Sequence, residues 1–241
     1  MKLERILSWL DRVLEPGKFD DVSNNGLQIS RPDGDVRRVA FAVDGSLASV
    51  RAAAAAGAQL LVVHHGISWG GGIKRIAGGE YAVVKAAIDS SLALYAMHLP
   101  LDANRRYGNN REIARFLGLT GVRPAFSWHG NVIGVTGVAA KTCEVRLGAG
   151  TVPLEKGRRV GVCSGGAGEF ASEAKALGCS VFVTGEASWG EVVAAENSGA
   201  RMVCCGHYET ETFGVKALAK GLSASLGADA VFVGRDGGCG R

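Results

Sequence analysis

The chain has 241 residues, of which 47% are hydrophobic and 21% are charged. That length corresponds to one or two domains, and that composition excludes an intrinsically disordered chain. The net charge of +4 is too small to indicate nucleic acid or an anionic membrane as the partner. No apolar stretch reaches the roughly 20 residues of a membrane-spanning helix, and charges interrupt residues 1–14, where a signal peptide would be apolar. We therefore expect a cytoplasmic protein without a membrane partner.

Helices and strands alternate in the first half of the chain. Apolar residues at helical spacing predict an amphipathic helix over residues 3–14, ended by Pro16 and Gly17. Strands are then predicted at 38–43, 60–63 and 92–97, and helices from the N-cap Ser46 to 56, at 81–89, and from a cap at Asn109 or Asn110 to 117. This alternation indicates an α/β fold with largely parallel strands buried between helices.

The second half echoes the first. A helix, a glycine and a strand occupy residues 50–65, and the same order returns at 171–186. Between the halves, a glycine-rich region has no long helical period and only one predicted strand, at 131–139. We therefore predict a first α/β half at 1–125, a connector at 126–158 and a second half at 159–241. The halves would be related, as duplicated βαβ units, and would flank a central metal cleft at their strand ends.

Two adjacent histidines, His64 and His65, follow the apolar run 60–63. Imidazoles at the exit of a buried strand are well placed to hold a metal. Neighbouring residues in a strand point in opposite directions, so each ring could serve one of two ions. The alternative is a pair of ordinary core or loop histidines that hydrogen-bond to the backbone.

Further potential ligands follow later strands. Asp102 comes after the strand at 92–97, and Pro100 is expected to keep that segment extended and carry Asp102 outward. His207 and Glu211 are four residues apart, which places both on one face if a helix begins there, although alone this spacing is more typical of a solvated helix face. Three histidines and two carboxylates are too many for one closed zinc site and suit two ions.

The cysteines do not indicate a thiolate site. No two of them form a C-x-x-C pair, and most lie in apolar runs. We interpret them as small buried hydrophobic residues in a reducing compartment. The six positions are Cys143, Cys163, Cys179, Cys204, Cys205 and Cys239.

Six short motifs, in order along most of the chain, resemble a known family. They are residues 23–28 (SNNGLQ), 62–66 (VVHHG) with Trp69-Gly70, 98–103 (HLPLDA), 108–110 (GNN), 184–186 (TGE) and 206–211 (GHYETE). The family is that of the dinuclear-metal-centre proteins called GTP cyclohydrolase I type 2-like, or NGG-interacting-factor-like, here in the short bacterial form. The resemblance implies two divalent ions and a homohexameric ring, a trimer of dimers. The ligands it implies are His64, His65, Asp102, His207 and Glu211.

This ligand set contains nitrogen and oxygen donors only. Zinc, iron and manganese all accept such donors, so the identity of the metal stays open. Two such ions can activate a water molecule, and the carboxylates of Asp102 and Glu211 are suited to bridge them.

Two further residues are candidates for catalysis, Glu186 and His98. Glu186 could be a general base, a partner that orients a ligand, or a substrate contact, and otherwise a helix-capping acid. His98 could orient Asp102 or donate a proton, and otherwise is a structural histidine. Candidate substrate contacts are Asn25, Trp69, Lys74 and Tyr208.

Two functions follow as hypotheses. The first is a metal-dependent hydrolase that uses metal-activated hydroxide on a nucleotide-like or heterocyclic small molecule, with GTP cyclohydrolase-type activity as one form. GTP itself rests on the family resemblance, because the chain has no P-loop. The alternative is a metal-stabilised, ring-shaped binding protein, without catalysis, for nucleic acid or a protein partner.

Overall fold

The computed structural model describes residues 1–234, which divide into two compact units. Unit 1 comprises Met1–Leu101 and the chain from Val215 onward, and unit 2 comprises Asp102–Gly214. Among the described residues, no helix combines the length and the apolarity needed to cross a bilayer. The helices are α1 (Leu3–Leu14), α2 (Leu47–Ala55), α3 (Gly78–Asp89), α4 (Leu99–Asp102), α5 (Asn109–Phe116), α6 (Ala171–Ala176), α7 (Trp189–Ser198) and α8 (His207–Leu226).

Unit 1 is built on one five-stranded sheet. Its strands are β1 (Gly26–Ile29), β2 (Arg38–Asp44), β3 (Leu60–His65), β4 (Ala93–Ala96) and β12 (Asp229–Phe232), in the spatial order β1-β4-β3-β2-β12. Strands β12, β2, β3 and β4 are parallel, and β1 is antiparallel to β4. Buried apolar side chains such as Val50, Leu61 and Leu94 form its core. Because parallel strands end at the same edge, residues that follow β3 and β4 are brought together.

Unit 2 has a five-stranded sheet and a separate hairpin. The strands are β5 (Leu119–Trp128), β6 (Asn131–Ala139), β7 (Cys143–Leu147), β8 (Gly150–Leu154), β9 (Arg159–Gly166), β10 (Cys179–Glu186) and β11 (Met202–Cys204). The sheet order is β11-β10-β9-β6-β5, and β7 pairs with β8. Strands β9, β10 and β11 are parallel, whereas β6 is antiparallel to both its neighbours. Its core includes Ile113, Val160 and Val183.

The predicted α/β class is confirmed, and one element order occurs in both units. In unit 1, the parallel strands β2, β3 and β4 alternate with α2 and α3. In unit 2, β9, β10 and β11 alternate with α6 and α7 in the same way. His65 ends β3, and Glu186 ends the corresponding strand β10. Each unit therefore presents polar side chains at the end of its middle parallel strand.

Local signals in the sequence define several helix ends. Helix α1 occupies the predicted residues, and Glu15 ends it in the left-handed conformation just before Pro16. The Ser46 side chain accepts a hydrogen bond from the backbone N–H of Ser49, as an N-cap residue does. Helix α5 begins at Asn109, but its N-cap is Gly108, so neither of the predicted asparagines caps it.

Two local expectations differ from the structure. Strand β3 continues through His64 and His65, so the histidines end the strand instead of following it. The segment after β4 is not extended, because Leu99–Asp102 forms a short helix with Pro100 at its second position. Proline is tolerated there because the first N–H groups of a helix have no partner within the helix.

The division into units also differs from the predicted boundaries at 125 and 158. Residues 126–158, expected to be a connector, contribute the end of β5 and all of β6, β7 and β8. Strand β6 lies between β5 and β9 in the sheet, so this part of the chain belongs to the core of unit 2. Its alternating burial, from Asn131 to Ala139, is the pattern of such a strand.

The cysteines are mainly interior residues. Cys163, Cys179 and Cys205 are buried, Cys143 is half-buried and Cys204 is exposed. Burial raises the pKa of the Cys163 thiol well above its usual range, and it raises the pKa of Cys179 to about 11. Such thiols are protonated at neutral pH and are poor metal ligands or nucleophiles. Cys239 lies outside the described residues.

Candidate metal centre

Three histidines of unit 1 form a cluster, which we call the histidine cluster. His64 and His65 end β3, and His98 follows β4, the neighbouring parallel strand. Their ring centroids are 4.7 Å apart for His64–His65, 5.1 Å for His64–His98 and 5.7 Å for His65–His98. One nitrogen from each ring lies within 4.8 Å of the other two. Three imidazoles at this spacing can hold one metal ion.

Each ring of the histidine cluster has its Nδ1 atom on an oxygen. Nδ1 of His64 lies 3.0 Å from the backbone carbonyl of Met97, Nδ1 of His65 lies 2.9 Å from Asp44 Oδ1, and Nδ1 of His98 lies 2.8 Å from Asp21 Oδ1. A carbonyl oxygen only accepts, so Nδ1 of His64 must carry the proton. The neutral ring then has its lone pair on Nε2, which is the form that binds a metal.

The partner of His98, Asp21, is held by several donors. Its side chain is buried and accepts hydrogen bonds from the backbone N–H groups of Ser23 and Leu99 and from Nδ2 of Asn25. Burial by itself would raise the pKa of Asp21, but the hydrogen bond and positive charge of His98 outweigh it and lower the pKa to about 2. Oδ1 of Asn25 in turn accepts from the backbone N–H of His98. Asp21 and Asn25 therefore fix the position of His98, and Asn25 is already engaged in this structural role.

The loop after β3 places an aromatic ring against the histidine cluster. The Trp69 ring lies 5.2 Å from that of His98 and 6.0 Å from that of His65. Oε1 of Gln28 accepts from the backbone N–H groups of Ile67 and Ser68, which ties the start of the loop to β1. Gly66 is required here, because a Cβ atom would overlap the Gln28 side chain and lie 2.6 Å from Cβ of Ala96.

In unit 2, Asp102 is held by two donors. Nδ2 of Asn109 lies 2.8 Å from its Oδ1, and the Ser164 hydroxyl lies 3.1 Å from the same oxygen. Asn109 is fully buried and also accepts from the backbone N–H of Gly214. Asn110 accepts from the backbone N–H of Ser164. The two asparagines of the GNN motif thus orient the Asp102 carboxylate instead of binding a ligand themselves.

His207 and Glu211 contact one another on the first turns of α8. Nε2 of His207 lies 3.1 Å from Glu211 Oε1, and its Nδ1 lies 2.9 Å from Glu186 Oε1. The hydrogen bond to Glu211 raises the pKa of His207 to about 9 despite partial burial, with further help from Glu186. Glu211 is buried, whereas Glu186 is exposed. A cation bound by His207 and Glu211 would replace the proton that they share in its absence.

Tight glycine turns bring the backbone against this pair. A Cβ atom on Gly165 would lie 2.5 Å from Glu211 Oε1, and one on Gly185 would lie 2.7 Å from Thr210 Oγ1. Thr210 Oγ1 accepts from the backbone N–H of Gly165, and Thr184 Oγ1 donates to the carbonyl of Gly165. Each residue of the TGE motif has a role here. Thr184 holds the turn at Gly165, Gly185 leaves room for Thr210, and Glu186 orients the His207 ring.

The histidine cluster offers three donors to one divalent cation, and His207 and Glu211 offer two more donors in unit 2. All four histidines named above have Nδ1 on an oxygen acceptor, and the carboxylates of Asp102 and Glu211 are held by α-helices. Their roles as ligands stay predictions, as do the catalytic roles of Glu186 and His98. The structure places His98 within the histidine cluster and Glu186 on Nδ1 of His207. Sequence reasoning missed Asp21 and Asp44, and the only local signal for Asp21 was its spacing to Ser23, which is typical of an Asx-turn.

The chain resembles known proteins along most of its length. The family model described as Duf34/NIF3 (NGG1p interacting factor 3) matches residues 1–233. Proteins named GTP cyclohydrolase 1 type 2 homolog from Deinococcus radiodurans and Archaeoglobus fulgidus are each 39% identical to this chain. The first match covers 93% of this chain and 89% of the relative, and the second covers 97% and 98%.

Solved structures resemble the fold throughout. The protein TTHA1606 from Thermus thermophilus is 31% identical, with a TM-score of 0.78 and complete coverage of both chains. The protein ybgI, of unknown function, is 26% identical, with a TM-score of 0.85 over 99% of this chain and 100% of that one.

Proposed function

Because the chain belongs to the Duf34/NIF3 family, we propose that it is a metal-dependent hydrolase acting on a nucleotide-like or heterocyclic small molecule. The observation that carries this proposal is the shared arrangement of His64, His65 and His207, each with Nδ1 on an oxygen acceptor. Histidines that bind catalytic metals are oriented in this way. A GTP cyclohydrolase-type reaction, hydrolytic opening of a purine ring, is the form suggested by the names of the relatives.

The proposed centre holds two divalent ions, with His64, His65, Asp102, His207 and Glu211 as ligands. When bound, such ions supply a nucleophilic water at neutral pH and positive charge for the attacked group. Asp44 and Glu186 accept from Nδ1 of His65 and His207 and so hold each ring with Nε2 available to bind a metal ion. The nitrogen and oxygen donors suit zinc, iron or manganese.

Proton transfer is assigned to His98 and Glu186. His98 is half-buried, and Asp21 keeps its Nδ1 occupied, so any proton that it passes to a leaving group moves through Nε2. Glu186 is exposed and has a second carboxylate oxygen besides the one on His207. A substrate or a water molecule could therefore reach it.

The proposal is tested by turnover. Metal-loaded protein is assayed against purine nucleotides and phosphoesters, alongside Asp102→Asn and the exposed-site control Asp33→Asn. We expect at least one hydrolysed substrate, with activity lost in Asp102→Asn and retained in Asp33→Asn. Absence of turnover on every substrate, together with salt-sensitive nucleic-acid binding that chelation leaves unchanged, would instead favour the non-catalytic binding protein.

The homohexamer implied by the family resemblance is part of the same proposal. Light scattering on the purified protein measures the mass directly. A mass of about six chains supports a ring, and a monomer contradicts it.

A further inference from the structure

A cavity of about 450 Å³ lies beside the histidine cluster, within unit 1. It is formed by the loop between β3 and α3 and by the first turn of α3. Its volume lies within the range of about 300–1,000 Å³ that small-molecule sites occupy. The lining residues that contribute apolar surface or charge are Ile67, Trp69, Ile73, Lys74, Arg75 and Glu80.

The lining combines an aromatic face with positive charge. Trp69 is 37% exposed and supplies an indole ring, and Ile67 and Ile73 add apolar surface. Lys74 and Arg75 are exposed, and neither forms an ion pair within residues 1–234. Glu80 is the single carboxylate. An apolar stacking surface beside two unneutralised cations is complementary to a planar ring that carries an anionic group.

We propose that this cavity binds the base and the phosphate of a nucleotide, with Trp69 stacking on the base and Lys74 and Arg75 contacting the phosphate. Glu80 accepts a hydrogen bond from an amino or imino group of the base. The inference rests on the proposed function, because it identifies where the substrate of that centre is held. It adds the place where the base and the phosphate of that substrate are held and the residues that contact them.

The stacking surface is fixed before a ligand arrives. Nε1 of Trp69 donates to the carbonyl of Gly66 over 2.9 Å, which sets the plane of the ring. The backbone that follows Trp69 is held by bonds from Gly70 N–H to the Val22 carbonyl (2.6 Å) and from Gly72 N–H to the Trp69 carbonyl (2.9 Å). A rigid aromatic ring loses little conformational entropy when it binds.

The cavity adjoins the proposed chemistry through the same tryptophan. The Trp69 ring contacts the His98 ring edge-on at 5.2 Å. Only the indole ring of Trp69 would therefore separate a stacked base from the histidine cluster. The flexible Lys74 and Arg75 side chains would hold the phosphate at the solvent side of the cavity, so that the base is directed toward the metal ligands.

The test is calorimetric titration of three probes into the metal-loaded protein. Guanosine 5′-monophosphate carries base and phosphate, guanosine carries the base alone, and ribose 5-phosphate carries the phosphate alone. The variants are Trp69→Ala and the double variant Lys74→Ala/Arg75→Ala. The matched control is Arg51→Ala/Lys85→Ala, which removes the same charge from exposed positions of unit 1 outside the cavity.

We expect the monophosphate to bind wild type more tightly than either fragment. Trp69→Ala should weaken it about 10- to 100-fold, the effect of losing one stacked base. Lys74→Ala/Arg75→Ala should weaken the monophosphate and ribose 5-phosphate but leave guanosine unchanged, and the control should bind all three like wild type. The proposal is overturned if wild type does not bind the monophosphate, or if both cavity variants bind it as the control does.

Metal content and turnover, measured on the same preparations, separate this inference from the proposed function. If binding requires the cavity but the protein shows no turnover, the nucleotide site is supported and the proposed hydrolase activity is contradicted. If both cavity variants retain turnover with unchanged KM, the proposed hydrolase activity is supported and the nucleotide site is contradicted. Unchanged metal content in all variants excludes an indirect effect through the histidine cluster.

Discussion

Asp44 and His65 are partners in the register of the parallel strands β2 and β3, and their side chains meet at 2.9 Å. Both residues end their strands, so the regular geometry of the sheet itself sets the orientation of the imidazole. A histidine held by a strand neighbour is more firmly positioned than one held by a loop.

Asp44→Ala should therefore weaken metal binding without removing a ligand. We expect a loss of about 10- to 100-fold in affinity, the usual effect of deleting a group that orients a ligating histidine. Competition with a chromogenic chelator measures this affinity, with the exposed Asp33→Ala as the matched control. Equal affinities of the two variants would show that Asp44 does not orient a ligand.

Asp21→Asn should destabilise the protein in a pH-dependent way. The pKa of Asp21 falls from 3.8 to about 2 in the folded protein, so its stabilising contribution is present above pH 3.8 and is lost as the pH falls toward 2. A shift of this size corresponds to about 2 kcal/mol at pH 7. Urea unfolding is measured on protein stripped of metal with a chelator. The free energy of unfolding should differ more between wild type and Asp21→Asn at pH 7 than at pH 3. If the difference in unfolding free energy does not change with pH, the charge of the Asp21 carboxylate does not stabilise the fold.

Gly66→Ala should destabilise unit 1. The added methyl group would overlap the Gln28 side chain and lie 2.6 Å from Cβ of Ala96, and the Gln28 side chain can move away only by breaking its bonds to the loop. Overpacking of this kind costs about 1–3 kcal/mol. Gly71→Ala is the control in the same loop, because a Cβ atom there meets nothing within 4 Å. Equal unfolding midpoints in urea would contradict the close packing at Gly66.

The parts of the fold that depend on local pattern were predictable from the sequence. Helix α1 follows from its apolar spacing and Pro16, and the N-cap of α2 follows from Ser46. The histidine pair stands out in the sequence because two imidazoles at the end of an apolar run are unusual. The four-residue spacing of His207 and Glu211 predicts that they share a helix face if a helix begins there. Helix α8 does begin at His207, and the two side chains are in contact.

The remaining features depend on contacts between distant residues. Asp21 reaches His98 across 77 positions of the sequence, and Gln28 reaches Ile67 across 39. No local pattern encodes such pairs, so Asp21 and Asp44 were missed. The sequence predicts strand β6, but its place inside the sheet of unit 2 depends on pairing with β9, which the glycine-rich surroundings do not indicate. The helix at Pro100 was missed because proline breaks helix interiors but is accepted in a first turn.

The central claim is that the named histidines and carboxylates hold a pair of metal ions, and elemental analysis of protein purified without added metal tests it most directly. We predict about two divalent ions per chain in wild type and in His129→Ala, whose histidine is exposed on the turn after β5. His64→Ala and Asp102→Asn should each contain fewer, with their thermal unfolding still cooperative. A wild-type protein without bound metal, or variants that retain as much metal as His129→Ala, would contradict the claim.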